Sequence, residues 1–491
     1  MKILILSNSA PDYFHFFNRL AVKLNDDGHN VEIAVDSPYT RATNQVDALG
    51  LTVHEFATFW KDFDEDPAAV LAEYADLPLN ATLHADFERA EVLGFDKGRD
   101  QAYYQSLQAA LLRFFERIMI GSDIDLVVYE NVSNTFAYVA WLMSRRLGAG
   151  YCGLIASRLP GRFSVVDNPL SEKDVYQPIL DAIRSGARKV PNEVKVWSAS
   201  YLDNLENTVP DYMKFNKLDR LSLIHLYARR SKLDRLKLAW RHRNDRHQLA
   251  FQVGNPLKLT WRMFYRALRR RLRAKACRTY YVQPVNGERF LLYPLHFHPE
   301  SSTSVNASTY LDEYNVIRNI AFSLPTGTML YVKDHISAFG HPKLEFYRRV
   351  AALPNVRLLK PEEPTKQLIR DSLGVITLTS TVGYEALLLN RRVFLFGSVF
   401  YEFHPNVVLV KDPARLFGLF REYLDAPLPV GPEFQADFVS AYYLGTFAGT
   451  LNFFLGKEKV RNLVDELYPQ LLTTFKQRVQ CGKATVEQSM T

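Results

Sequence analysis

The sequence predicts an α/β fold of two Rossmann-like domains that face a cleft and are joined by a basic, mainly helical bridge. Short apolar runs alternate with helix-spaced apolar residues over 1–160, and again from residue 290. Such alternation implies parallel strands covered by helices. The region between, about 170–280, lacks that alternation and reads as helical. It also holds the basic charge. Residues 213–278 carry 20 Lys/Arg against Asp219, Asp234 and Asp245, a formal +17, which leaves −10 for the rest of this +7 chain.

The length of 491 residues allows roughly two to three domains. Boundaries are expected at 1–170, 171–285, 286–430 and 431–491, the last a set of C-terminal helices. Apolar residues make up 47% of the chain, enough for sizeable cores. Charged residues, at 23%, lie near the globular average of about 25%, which excludes wholesale disorder. Cys152, Cys277 and Cys481 are far apart and form no CxxC pair or zinc spacing, so a reducing compartment is expected. The opening apolar run is shorter than the roughly seven to fifteen residues of a signal h-region. No window reaches the roughly 18 apolar residues of a membrane span. The expected location is the cytoplasm, including the inner face of the plasma membrane.

In the first half, residues 2–7 (KILILS) read as a buried strand and 14–24 as a helix closed by Gly28, which suits a left-handed C-cap. Strands follow at 31–35 and 51–56, a long helix at 102–120, a strand at 126–129, a helix at 134–147 and a strand at 151–155. In the second half, strands are expected at 290–297, 329–333, 356–359, 375–378, 393–396 and 407–410. Helices are expected at 309–324, 344–353, 365–371, from 384, and after about 434.

Ligands of open α/β sheets bind beyond the carboxyl ends of the strands, so polar residues at strand ends are the candidates. His296-Phe297-His298-Pro299-Glu300 closes one strand. A carboxylate beside imidazoles there acts as nucleophile or base, or the five residues are a surface turn. Lys333-Asp334-His335 closes another. It either neutralises a phosphate leaving group or forms a salt-bridged loop. Ser380, Thr381 and Gly383 stand between a buried strand and a helix. They offer hydroxyls and N–H groups to a phosphate, with Glu385 on a ribose diol, or they form an N-cap that Glu385 completes. Glu130-Asn131 ends a strand of the first half and either holds sugar or acceptor hydroxyls or fixes a turn. Asn8, Ser9, Asp12 and His15 border the first βα turn. GxGxxG and GK[ST] are both absent, which removes the main support for dinucleotide oxidoreduction and for a P-loop. The 12 histidines form no HExxH, so no metal is expected.

These motifs resemble the capsule polysaccharide biosynthesis family, including its retaining β-Kdo transferases. The resemblance is clearest over about 288–405, compatible but looser over 1–160, and without a motif in the bridge. A Gln-x-x-x-Asp motif of the family falls on His296 to Glu300, so Glu300 takes the place of the catalytic carboxylate. The family's Lys and His-Pro motif falls on Lys333 and His335-Ile336. Its Ser/Thr loop falls on Ser380-Thr381, followed by Gly383 and Glu385, and its Glu-Asn pair on Glu130-Asn131. The resemblance implies a GT-B-like glycosyltransferase. The C-terminal domain would bind a nucleotide sugar, with Ser380 and Thr381 on phosphate, Glu385 on ribose, and Lys333 and His335 on the leaving phosphate. The N-terminal domain would present the saccharide or glycolipid acceptor, with Glu130, Asn131, Asp12 and His15 near it. Glu300, assisted by His296, attacks the anomeric carbon, or acts as base and inverts it. No cofactor beyond the nucleotide sugar is implied, and a CMP-sugar such as CMP-Kdo is favoured. Glu for Asp, His for Gln and Ile for Pro depart from the family pattern and leave the sugar open.

The bridge interleaves Trp261, Phe264, Tyr265 and Leu268 with Arg269-Arg270-Arg271 and Arg273. This suits an anionic membrane surface or a solvated helix face. Nucleic acid is not expected as a partner, because the basic charge is confined to one stretch. The alternative functions are a nucleotide-sugar epimerase or hydrolase on the same plan, and a non-catalytic nucleic-acid- or membrane-binding protein.

Overall fold

The computed structural model describes residues 1–8, 10, 12–215, 231–244, 254–453, 455 and 457–489. Ser9 and the bridge segments 216–230 and 245–253 lie outside the described residues, as does the side chain of Cys481.

The first half holds β1 (Lys2–Ser7), β2 (Asn30–Val35), β3 (Thr52–Glu55), β4 (Leu126–Glu130), β5 (Gly150–Ala156) and β6 (Arg162–Val166). With β13 (Phe447–Ala448) they form a seven-stranded sheet, order β13-β6-β5-β4-β1-β2-β3. Strands β1 to β5 are parallel; β6 runs antiparallel to β5, and β13 to β6. The second half holds β7 (Phe290–Pro294), β8 (Met329–Lys333), β9 (Val356–Leu359), β10 (Gly374–Thr377), β11 (Arg392–Leu395) and β12 (Val407–Leu409). They form an all-parallel sheet, order β12-β11-β10-β7-β8-β9. The architecture is GT-B-like, as the sequence predicts.

The central strands are continuous apolar runs because helices cover both their faces. Ile3, Leu4, Ile5 and Leu6 of β1 are at most 1% exposed. Full burial of each such side chain stabilises the fold by about 1.5–3 kcal/mol. All five residues of β7 are buried.

Both sheets change direction of growth beside their first strand. The chain lays β2 and β3 on one side of β1 and returns to place β4 on the other. It repeats this in the second sheet, with β8 and β9 on one side of β7 and β10 on the other. These two switch points, β1/β4 and β7/β10, are where ligands of open α/β sheets bind.

The bridge and the C-terminus divide differently from the expected boundaries. Helices Lys173–Arg184 and Asn192–Asp203 pack with helix Phe434–Leu444. Tyr176, Leu180, Tyr201, Phe438 and Tyr442 join one core beneath the second sheet. Helix Lys457–Ser489 instead crosses back to the first half. There Val464, Leu467, Leu471 and Phe475 enter the core of the first sheet, and Arg19 Nη2 pairs with Asp465 Oδ1 at 2.9 Å. The C-terminal helices are therefore shared between the halves.

Candidate active site

The carboxyl end of β7 runs into the loop that carries His296, His298 and Glu300. His296 is 7% exposed. Its ring is fully engaged. Nε2 accepts from Leu378 N–H at 3.3 Å and lies 3.1 Å from Thr377 Oγ1. Nδ1 therefore carries the proton and donates to Glu313 Oε1 at 2.9 Å, a carboxylate that also accepts His296 N–H. His296 ties β7 to the end of β10, and in this structure both ring nitrogens are engaged by the protein.

His298 joins the two halves. Its Nδ1 is 2.6 Å from Glu88 Oε1, on helix His84–Leu93, and its Nε2 is 3.6 Å from Glu313 Oε2. Burial disfavours its charge, but the bond to Glu88 and the Glu313 charge outweigh that and raise its pKa. Burial would likewise raise Glu313, but its bonds to the imidazoles hold it below the usual carboxylate range.

Glu300 opens to solvent at the mouth of this loop. Its walls of protein raise its pKa, only partly offset by the Ser302 hydroxyl at 3.2 Å and by the charges of His298 and Arg158. Opposite stands the other switch point. Burial pushes the Glu130 carboxyl up to about 7, against its bond from Ser133 and the pull of Arg89. Tyr13, in the first βα turn, has its pKa raised by burial and by the fields of both Glu130 and Glu300. Tyr13 thus lies within the fields of two carboxyl groups, one from each switch point.

Asn131 serves its turn. Its Oδ1 accepts Val132 N–H at 2.9 Å and its Nδ2 donates to Glu172 Oε1 at 3.3 Å. Asp12, with φ of 68°, and His15 flank Tyr13; the His15 N–H donates to Asp12 O at 3.2 Å. They border the same switch point as Glu130.

Lys333 ends β8. It is 8% exposed and donates to Pro361 O at 2.9 Å. Burial lowers its pKa, with Asp334, Glu363, Glu362 and Glu385 opposing. His335 accepts Ser337 N–H on Nδ1 at 3.1 Å. Burial, with the nearby positive groups, lowers its pKa to about 4. Burial therefore disfavours a charge on His335 in the absence of a bound phosphate.

Ser380 is the N-cap of helix Thr381–Leu388, accepting Val382 N–H at 3.1 Å. Thr381 is the first helical residue. Gly383 is buried, and its N–H donates to Ser380 O at 3.1 Å. A Cβ there would lie 2.3 Å from Tyr401 Oη. Gly383 is required for close packing and offers no N–H to a ligand, contrary to expectation. Glu385 is five residues from the cap and completes no capping box, which needs the third helical position. It is half-buried, its pKa raised by burial against Lys366 and Lys333.

The sequence reading missed Glu88, Tyr13, Glu313 and Arg158. Arg158 follows β5 of the first sheet yet lies 4.9 Å over the Phe400 ring of the second half, and 3.9 Å from Glu172. Its signal was position alone, a basic residue just past a strand end. Among the described residues, no group of three or more His, Cys, Asp or Glu is placed to hold a metal ion. No helix there is long and apolar enough to cross a membrane.

No curated protein matches the chain. Among solved structures it is similar to two of Thermosulfurimonas dismutans KpsC. The β-Kdo 2,4 transferase is 14% identical over 65% of this chain and 79% of that one, with a TM-score of 0.37. The β-Kdo 2,7 transferase is 10% identical over 72% and 89%, with a TM-score of 0.36. A UDP-GlcNAc 2-epimerase from Neisseria meningitidis is 12% identical over 96% and 100%, with a TM-score of 0.23. The family model described as capsule polysaccharide biosynthesis protein matches residues 209–405. The match begins inside the bridge, upstream of the first family motif legible by eye, and covers less than half of the chain. That stretch, which carries Glu300, Lys333, Ser380 and Glu385, is similar to the capsule polysaccharide biosynthesis family.

Proposed function

We propose that the protein is a glycosyltransferase that moves a sugar from a nucleotide-sugar donor to a growing surface polysaccharide or glycolipid, on the cytoplasmic side of the membrane. The observation that carries this reading is Tyr13, which stands in the fields of both Glu300, at one switch point, and Glu130, at the other, together with the His298–Glu88 pair that joins the two halves. Group transfer between two bound substrates needs such an arrangement, because orientation across a cleft replaces a bimolecular encounter.

The second half holds the nucleotide. The Ser380–Thr381 turn opens a helix towards the phosphates, Glu385 takes the ribose hydroxyls, and Lys333 with the neutral His335 holds the departing phosphate. Glu300 attacks the anomeric carbon and the C–O bond to the phosphate breaks, leaving a glycosyl ester on Glu300. The acceptor hydroxyl, losing its proton to Glu130, then displaces Glu300 with net retention. A carboxyl with pKa near 7 is matched to that proton transfer. Arg158 adds a cation whose field reaches Glu300. That favours an acidic sugar, and a CMP-sugar of the Kdo type is the first donor to try.

The test combines purified protein with CMP-, UDP-, GDP- and dTDP-sugars, with and without oligosaccharide acceptors. The expected result is acceptor-dependent release of CMP and a mass adduct of one sugar on Glu300 in the absence of acceptor. Sugar conversion without acceptor would replace transfer by epimerisation or hydrolysis. An inverted product without adduct would reassign Glu300 as the base.

A further inference from the structure

Helix Pro256–Ala276 is amphipathic with its faces reversed. A helix on a globular protein normally turns its apolar stripe inward and its charges outward. Here four arginines point in. Arg262 Nη1 donates to Leu93 O at 2.8 Å, Arg266 Nη2 to His298 O at 2.9 Å, Arg270 Nε to Phe339 O at 2.8 Å and Arg273 Nη1 to His341 O at 2.9 Å. The helix backbone also presses on Gly340, where a Cβ would stand 2.8 Å from Arg270 O. This face is therefore fixed to the protein.

The outward face is apolar. Trp261 is 67% exposed, Phe264 61%, Tyr265 44%, Leu268 46% and Leu272 69%. Their spacing of three and four places them on one stripe. Helix Ser231–Arg241 packs alongside and adds exposed Leu236 and Trp240. A contiguous exposed apolar stripe of this size marks an interaction surface. The charge around it indicates the partner. Lys258, Arg269 and Lys275 are exposed beside the stripe, Arg269 stacking on Tyr265 at 4.2 Å, and the helix contains no acidic residue. Aromatic and leucine side chains on one face, flanked by basic residues, suit the boundary between anionic headgroups and acyl chains. A protein partner would need an acidic rim around an apolar groove; an anionic bilayer offers both layers at any position.

We propose that this helix seats the protein on an anionic lipid bilayer. The aromatic stripe enters the headgroup boundary, and the flanking Lys and Arg meet lipid phosphates. The opposite face of the same helix holds the carbonyl of His298, two residues before Glu300. The seat thus fixes the candidate active site at a set height above the membrane, within reach of an acceptor anchored there.

The test is flotation of the full chain with vesicles of phosphatidylcholine alone, and with added phosphatidylglycerol. No donor or acceptor is present, so a failure leaves the transfer reading intact. We expect binding to the anionic vesicles only, release in about 0.5 M NaCl, and a loss of affinity of roughly tenfold or more in W261E/F264E. R269E/K275E, which leaves the stripe intact, should weaken binding by a similar factor. The thermal midpoint of both variants should equal that of the parent. No binding to anionic vesicles, or binding unchanged in W261E/F264E, overturns the proposal. So does a dimer in light scattering that W261E/F264E dissociates, because a second copy then covers the stripe.

Discussion

His298 Nδ1 stands 2.6 Å from Glu88 Oε1, and this pair crosses from the loop after β7 of the second sheet to a helix of the first half. Both side chains are largely withdrawn from water, at 19% and 7% exposure. Breaking one partner of such a pair leaves the other charge stranded, a loss on the order of 3 kcal/mol. Glu88→Gln is expected to lower stability by about that amount near pH 6. His298 has its pKa raised in the folded state. Its contribution is therefore full below the unfolded value of about 6.5 and is lost as pH rises through the folded value. Denaturant melts between about pH 6 and 9 should show the parent and Glu88→Gln converging as pH rises. A gap that widens with pH would refute the assignment.

On the proposed mechanism transfer depends on Glu300, so Glu300→Gln should reduce turnover by roughly 10³-fold or more with little change in donor affinity. Its acid limb is also defined. The carboxyl works ionised, and its pKa is raised. Turnover should therefore fall with falling pH at a midpoint above about 4.3, the ordinary glutamate value. Glu300→Asp, which restores the family's side chain, should recover part of the rate. Equal loss in Glu300→Asp and Glu300→Gln would mean that the carboxylate's reach matters more than its charge.

Gly383→Ala tests the packing role that replaced the expected phosphate contact. The added Cβ meets Tyr401 Oη at 2.3 Å and Thr377 Cγ2 at 3.0 Å. Tyr401 also donates to Ser380 O at 2.6 Å. Overpacking there should lower stability by about 1–3 kcal/mol and raise KM for the donor by moving the Ser380–Thr381 turn. A stable variant with unchanged KM would show that Tyr401 yields without disturbing that turn.

Much of the fold was legible because both sheets are built from uninterrupted apolar strands. Lys2–Ser7 was read to the residue, and the expected helix 102–120 differs from Gln101–Gly121 by one residue at each end. Strands β6 and β13 were not read. Arg162–Val166 pairs antiparallel at the edge of the sheet, and Phe447–Ala448 is only two residues long, so neither leaves a periodic signal. The site was half legible for a related reason. Strand ends point to Glu300, Lys333, Ser380 and Glu130, because the topology places ligands there. Glu88 and Glu313 lie inside helices, at 88 and 313, and become site residues only when a partner 210 or 17 positions away folds onto them. Likewise, no local pattern separates an imidazole aimed at substrate from His296, whose ring is consumed by Glu313 and the end of β10.

Lys333 and His335 were expected to share one task, and the structure separates them. The Lys333 ammonium is anchored on Pro361 O, among Asp334, Glu363, Glu362 and Glu385. Burial, with the nearby positive groups, lowers the His335 pKa to about 4. On the proposed mechanism, charge at the leaving phosphate therefore comes from Lys333, while His335 offers one N–H. Replacing Lys333 by Met should reduce turnover by roughly 10²–10³-fold, the scale of losing one charge-stabilising donor in a water-poor site. Replacing His335 by Asn or Gln, which keeps a donor, should cost about tenfold or less, and His335→Phe considerably more. The pH profile adds an independent check. A neutral His335 contributes no limb between about pH 5 and 8. A limb near pH 6.5 that disappears in His335→Gln would show that the donor complex restores its charge, and that the two residues act together after all.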